Sequence, residues 1–134
     1  MKAVEINQTG APEVISLKDI SLEKPHSDEV TIEQKAIGLN YIDTYHRSGL
    51  YPLKLPSGLG LEGAGIIIEV GSNVTNFKAG DKVAYAAIPL GSYSTHRNFP
   101  AAKLVKIPDG VDFDVAATLM TKGLTTYYLS LIHI

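Results

Sequence analysis

In the stretch Glu29–Ile37, EVTIEQKAI, the apolar Val30 and Ile32 alternate with Thr31 and Glu33. That is the pattern of a strand with one face in a core and the other in water. Short runs of the same kind recur at Lys2–Ile6, Val14–Ile20, Gly65–Val70, Lys82–Ile88, Tyr93–Asn98 and Lys103–Ile107. Gly65–Val70 (GIIIEV) is apolar enough to be buried on most sides. Turn residues separate the runs: Gly10-Ala11-Pro12, Pro25–Asp28, Gly71-Ser72-Asn73, Ala79-Gly80-Asp81 and Pro108-Asp109-Gly110. Strands this short, at a spacing of roughly 8–12 residues, predict an antiparallel barrel or sandwich, a mainly β fold with peripheral helices.

Helical patterning is confined to three places. Tyr41–Arg47 reads as one or two turns, with Asn40 as N-cap and Gly49 as the stop. Two more helices are expected at about Asp112–Leu119 and from about Thr121 onward. The end of the chain, YYLSLIHI, is apolar and carries no Gly or Pro stop, so we expect the chain to break off before its natural end. Leu53–Gly60 is a Pro/Gly-rich loop, and no internal repeat is visible.

Composition narrows the function classes. The 134 residues, 45% hydrophobic and 19% charged, suit one globular domain with a real core. A net charge of −2 and scattered Lys and Arg give no reason to expect nucleic acid. With no cysteine, disulfides, thiolate metal sites and a cysteine nucleophile are excluded. The start, MKAVEINQTG, has no signal-peptide core, and no apolar run reaches the roughly 18 residues of a membrane span. A cytoplasmic location is the default expectation, and the sequons at Asn7 and Asn73 read as chance matches.

Two motifs invite a chemical reading. Gly58-Leu59-Gly60-Leu61-Glu62-Gly63 matches the dinucleotide fingerprint G-x-G-x-x-G, but that motif needs a strand before it and a helix after it. Here a Pro-containing loop precedes it and the strand GIIIEV follows. These glycines are expected to let backbone pass closely around Glu62 instead. The histidines His26, His46, His96 and His133 show no ligand spacing, and no G-x-S-x-G supports serine catalysis. The second motif is Asn40–Pro52, NYIDTYHRSGLYP, which crowds three tyrosines, an aspartate, a histidine and an arginine behind a predicted strand.

KAIGLNYIDTYHRSGLYP, LPSGLGLEGAGIIIEVG, FKAGDKVAYA and KGLTTYYL occur in this order and spacing. On these four segments the chain resembles the N-terminal, GroES-like domain of zinc-free quinone oxidoreductases of the zeta-crystallin type, in the medium-chain dehydrogenase/reductase superfamily. The resemblance implies a GroES-like, partly open β-barrel over residues 1–129. It makes 130–134 a truncated or atypical start of the linker to a missing Rossmann domain. It further implies NADPH as cofactor, a quinone or enone as substrate, no membrane or nucleic-acid partner, and a homodimer for the full-length protein. The superfamily's zinc-dependent alcohol dehydrogenases place a ligand cysteine where Asn40 stands and a ligand histidine where Leu61 stands. The resemblance therefore argues against zinc.

By the same resemblance Asn40, Tyr41, Asp43, Thr44 and Tyr45 line the cofactor side of a cleft, with Lys122 and Thr125 approaching from the linking helix. Tyr45, Asn40 and Tyr51 become the residues nearest the chemistry. An Asn carboxamide answers both the donor and the acceptor of a nicotinamide carboxamide. A tyrosine ring covers a flat apolar face while its hydroxyl donates to a developing oxyanion. Plainer roles stand beside these: Asn40 as a simple N-cap, Asp43 and Arg47 as a surface i, i+4 ion pair, and Lys122 as a solvated helix-start lysine. Tyr127 and Tyr128 read as helix-packing residues, His46 and Arg47 as facing solvent or a loop, and Glu62 as structural or as an electrostatic contact in the cleft. The rival to an enzyme domain is a stand-alone GroES-like assembly module without catalysis.

Overall fold

The computed structural model of the chain describes residues 1–132. His133 and Ile134, the end of the expected linker start, lie outside the described residues. Eight strands and two α-helices follow one another: β1 Lys2–Ile6, β2 Ser16–Asp19, β3 Glu29–Gly38, α1 Ile42–Ser48, β4 Ser57–Gly58, β5 Glu62–Val70, β6 Lys82–Ala86, β7 His96–Pro100, β8 Val105–Lys106 and α2 Phe113–Ile132. They form two antiparallel sheets, ordered β2-β1-β4 and β7-β3-β5-β6-β8. The segment Tyr93–Thr95 stitches them together. Val4 N–H donates to Tyr93 O, Thr95 N–H to Lys2 O, and Gln34 N–H to Thr95 O. The sheets do not close into a barrel. A groove of about 740 Å³ stays open between them, walled by Val4, Leu17, Ala36 and Ile37. The mainly β architecture expected from the strand pattern, and its partly open form implied by the resemblance, are the ones observed.

Val30 and Ile32 of β3 are fully buried as the pattern requires, but Thr31 between them is buried too instead of facing water, its hydroxyl donating to Asn98 Oδ1. Val30 and Ile32 pack with Ile67, Phe77, Val83, Tyr85 and Phe99 into one core. The buried members of a second cluster are all alanine, Ala64 on β5, Ala84 on β6, and Ala116 and Ala117 on α2, with Ile107, Val111, Phe113 and Met120 packed against them half-buried. Small side chains let the helix settle close onto the sheet backbone. Gly38 carries this furthest, since a Cβ there would stand 2.2 Å from the Ala117 carbonyl oxygen.

Several boundaries differ from the pattern, each for a local reason. Pro12–Val14 curls into a 3-10 turn, so β2 begins only at Ser16. Tyr93–Thr95 is drawn off to β1, and β7 starts at His96. Lys103 belongs to the 3-10 turn Ala101–Lys103 and donates to Ile88 O, leaving β8 with two residues. β5 starts three residues early, at Glu62, because Glu62, Gly63 and Ala64 already pair with β3 and β6. The two expected C-terminal helices are one, Phe113–Ile132. Its Thr and Ser residues do not interrupt it, because their hydroxyls bond back to carbonyls of the preceding turn. Thr118 bonds to Asp114 O, Thr125 to Thr121 O, Thr126 to Lys122 O and Ser130 to Thr126 O.

β3 and β5 cross with register shifts between Thr31 and Ile32 and between Gln34 and Ala36. Gly65 lies at the second of these, where a Cβ would come 2.2 Å from Glu33 O and 2.8 Å from Ile32 Cγ2. Backbone cannot swing aside as a side chain does. Gly65→Ala is expected to lower stability by about 2–3 kcal/mol, read from the midpoint of urea unfolding.

Candidate functional site

β3 ends at Gly38, and the chain turns through Leu39–Tyr41 into α1. The Asn40 side chain does not cap this helix, although its backbone carbonyl accepts the Asp43 N–H at 3.0 Å. The N-cap position is Tyr41, and no side chain bonds to the free amides from there. Capping runs the other way: the Asp43 carboxylate reaches back and its Oδ2 accepts the Asn40 backbone N–H at 3.1 Å. Oδ2 also accepts the Tyr93 phenol. Asp43 is almost wholly buried, so the expected surface pair with Arg47 does not form. Arg47 instead donates Nε to Gly10 O, while Gly10 N–H donates to Arg47 O. This ties α1 to the turn after β1. The helix stops at Gly49, left-handed at φ 86°, whose N–H meets the Tyr45 and His46 carbonyls. His46 is half-buried with its ring on Tyr51 of the following loop, at 5.9 Å between centroids, the second of the two surroundings expected for it.

The side chain of Asn40 is occupied elsewhere. Its Nδ2 donates to Glu62 Oε2 at 2.7 Å, and its Oδ1 accepts from Lys122 Nζ at 3.1 Å. Lys122 also donates to Leu39 O at 3.0 Å. The second Glu62 oxygen, Oε1, accepts the Thr121 backbone N–H at 2.8 Å. Glu62 has no solvent exposure at all, and Asn40 is buried as well. A fully buried carboxylate thus joins β5, the β3–α1 turn and α2. Asn40 and Lys122, named separately from the sequence, meet here.

The tyrosines that follow Asn40 in the chain form a run of touching rings. Tyr41 meets Tyr45 edge-on at 5.4 Å, and Tyr45 meets Tyr51 at 5.3 Å with planes tilted by 56°. Tyr41 is 76% exposed and Tyr51 also faces solvent, so the rings are available to a flat ligand. Thr44 and Thr125 spend their hydroxyl protons on helix carbonyls, Tyr41 O and Thr121 O, and can offer a ligand only lone pairs. Tyr127 and Tyr128 are exposed, not packed, because the second half of α2 stands clear of the sheets.

Glu62 as the centre of the junction and Tyr93 as the partner of Asp43 were not anticipated in these roles. Glu62 did carry a signal, being the single acid at the head of the apolar run EGAGIII. Such a residue is buried with partners or it is not tolerated. Tyr93 carried none. The G-x-G-x-x-G match lies on β4, a turn and the start of β5, with no helix after it. Gly60, at φ 93°, accepts the Gly91 and Ser92 amides at its carbonyl, and a Cβ there would stand 2.1 Å from Ser92 Oγ. Close approach does explain these glycines, but not around Glu62: Gly58 and Gly60 face the Gly91–Tyr93 segment, and Gly63 faces the Tyr85 and Gln34 side chains. No group of three or more His, Cys, Asp or Glu suited to a metal occurs among the described residues. None of their helices is long and apolar enough to cross a membrane.

Residues 26–109 match the alcohol dehydrogenase GroES-like domain, and the chain belongs to that family. Within it the chain is similar to a quinone oxidoreductase of Pseudomonas aeruginosa, 54% identical over 129 residues, covering 96% of this chain and 40% of that protein. It is also similar to a 2-haloacrylate reductase of a Burkholderia species, 39% identical over 133 residues, covering 95% of this chain and 40% of that protein. The fold superposes on the Escherichia coli quinone oxidoreductase complexed with NADPH, with a TM-score of 0.93 and 48% identity over 96% of this chain and 40% of that one. The chain spans about two-fifths of the length of these relatives.

Burial holds the Tyr93 phenol above its ordinary value of 10.0, and the hydrogen bond and charge of Asp43 add to the effect. The folded protein keeps this proton where the unfolded chain loses it. The resulting stability is fully present below about pH 10 and falls as pH rises beyond it. Tyr93→Phe is expected to cost about 1–3 kcal/mol at neutral pH. Its loss of stability above about pH 10 should be shallower than that of the parent in urea unfolding.

Proposed function

We propose that this chain is the catalytic domain of a zinc-independent, NADPH-dependent quinone reductase, acting on a quinone or a similar conjugated carbonyl such as an enone. The observation that carries the reading is the Asn40 carboxamide, held between Glu62 and Lys122, with the run of tyrosine rings following it in the chain. The likeness to an NADPH-bound quinone oxidoreductase and to a 2-haloacrylate reductase supports it.

NADPH, when bound, supplies the hydride. The part of this chain is to bind, orient and exclude water. Asn40 has one N–H and one oxygen lone pair uncommitted after Glu62 and Lys122 are served, a match for a nicotinamide carboxamide. Lys122 keeps one donor free. The rings of Tyr41 and Tyr45 cover flat faces, and the hydroxyls of Tyr45 and Tyr51 donate to a substrate oxygen as it gains negative charge. Thr44 and Thr125 contribute lone pairs at the rim. Asp43, already saturated at Oδ2, acts by holding the Asn40 backbone.

Zinc has no part in this reading, because the residues do not fit it. Asn40 Oδ1 accepts from an ammonium, and Leu61 offers no ligand atom. Residues 1–129 form the domain, and the residues after them lead toward a cofactor domain that binds the phosphates and adenosine. The parent protein works as a cytoplasmic homodimer.

Calorimetric titration of this chain with NADPH is expected to show nothing tighter than about millimolar binding. Reduced nicotinamide mononucleotide at millimolar concentration should shift the amide resonances of Asn40, Tyr45 and Lys122. Micromolar affinity would refute the division of labour, and shifts confined to the groove at Val4 and Leu17 would refute the site.

A second reading, an assembly module, is favoured by one observation: Leu124, Tyr127, Tyr128, Leu131 and Ile132 are all exposed on α2. Light scattering separates the two. A monomer at micromolar concentration removes the module, and a stable dimer of the chain alone supports it.

A further inference from the structure

We infer that Glu62 is a positioning residue: its buried carboxylate fixes the orientation of the Asn40 carboxamide and, through it, the place of the Lys122 ammonium. The inference rests on the reading of Asn40 as a cofactor contact, and it adds a residue that touches neither cofactor nor substrate.

The chemistry follows from donors and acceptors. An ionised carboxylate only accepts, and Glu62 uses one oxygen for Asn40 Nδ2 and the other for the Thr121 N–H. Asn40 therefore lies between an anion and a cation, with nitrogen toward Glu62 and oxygen toward Lys122. A flipped amide would put its NH₂ against the ammonium and its oxygen against the carboxylate, unfavourable at both ends. Only one orientation survives. The backbone of Asn40 is pinned from the other side, through its N–H to Asp43 and from Asp43 to Tyr93. What remains free on Asn40 is thus set before any ligand arrives, which is how a polar contact gains affinity without new atoms.

Glu62→Gln keeps the shape and changes the logic. The Thr121 amide belongs to a helix backbone and cannot turn, so the Gln oxygen stays with it and the Gln NH₂ faces Asn40. Asn40 then turns its oxygen to meet that NH₂, which directs its own NH₂ at Lys122. The ammonium leaves Asn40 and keeps only Leu39 O.

Nitrogen-15 NMR of the parent, Glu62→Gln and Lys122→Met tests this, without ligand and with reduced nicotinamide mononucleotide. Without ligand, the carboxylate-bonded Nδ2 proton of Asn40 is expected to resonate downfield in the parent and to lose that shift in Glu62→Gln. Lys122→Met, at an exposed position, should perturb the same pair of protons even if the Gln variant folds poorly. With ligand, binding should weaken by about tenfold in Glu62→Gln. Asn40 resonances unchanged in both variants overturn the clamp. Changed resonances with unaltered binding overturn the positioning role and leave Glu62 structural. If the parent binds no reduced mononucleotide while the ligand-free changes occur, the clamp stands and the reading of the site falls.

Discussion

Burying a carboxylate away from all water is costly unless each of its oxygens is bonded. Glu62 meets that demand by recruiting donors from two other parts of the chain, the Asn40 side chain and the Thr121 backbone. The consequence reaches past one residue. The turn after β3 must pass within reach of β5, and α2 must present a backbone amide in its middle at the right height. Satisfying one charge therefore fixes where three elements meet, and the proposed site is that meeting point.

Close approach at the junction is made possible by what the residues lack. Ala64, Ala84, Ala116 and Ala117 keep the helix near the sheet, and Gly38 admits the Ala117 carbonyl. A larger side chain at Gly38 would push α2 away and lift Thr121 off Glu62. The alanine layer contributes little apolar burial per residue compared with the Val30, Ile32 and Phe99 core. Its contribution is geometric, while the larger core supplies most of the stability.

Seven of the eight strands and their order in the chain were legible because β3, β6 and others alternate or are β-branched; β4, only Ser57–Gly58, lay in the expected Pro/Gly-rich loop and carried no such pattern. The ends of the strands were less legible. Where β7 begins depends on Tyr93–Thr95 pairing with β1, at the opposite end of the chain's strand order, and no local pattern encodes it. For the same reason Asn40 looked like an N-cap: its local context fits one, and only the distant Glu62 and Lys122 draw its side chain elsewhere. Asp43 and Arg47 have the spacing of an ion pair, but Tyr93 and Gly10 outbid it from across the fold. The tyrosine wall was readable because its members lie within one short segment. The Glu62 junction was not, because it is assembled from three.

Mechanically, α2 is gripped partway along. Its twenty residues span about 30 Å, and the grip at Thr121 leaves roughly half of that length beyond the sheets. Such a rod is a lever with its fulcrum beside Asn40. A load applied to the far end is delivered as a twist at Thr121 and Lys122, the two residues whose bonds hold the Asn40 junction in place.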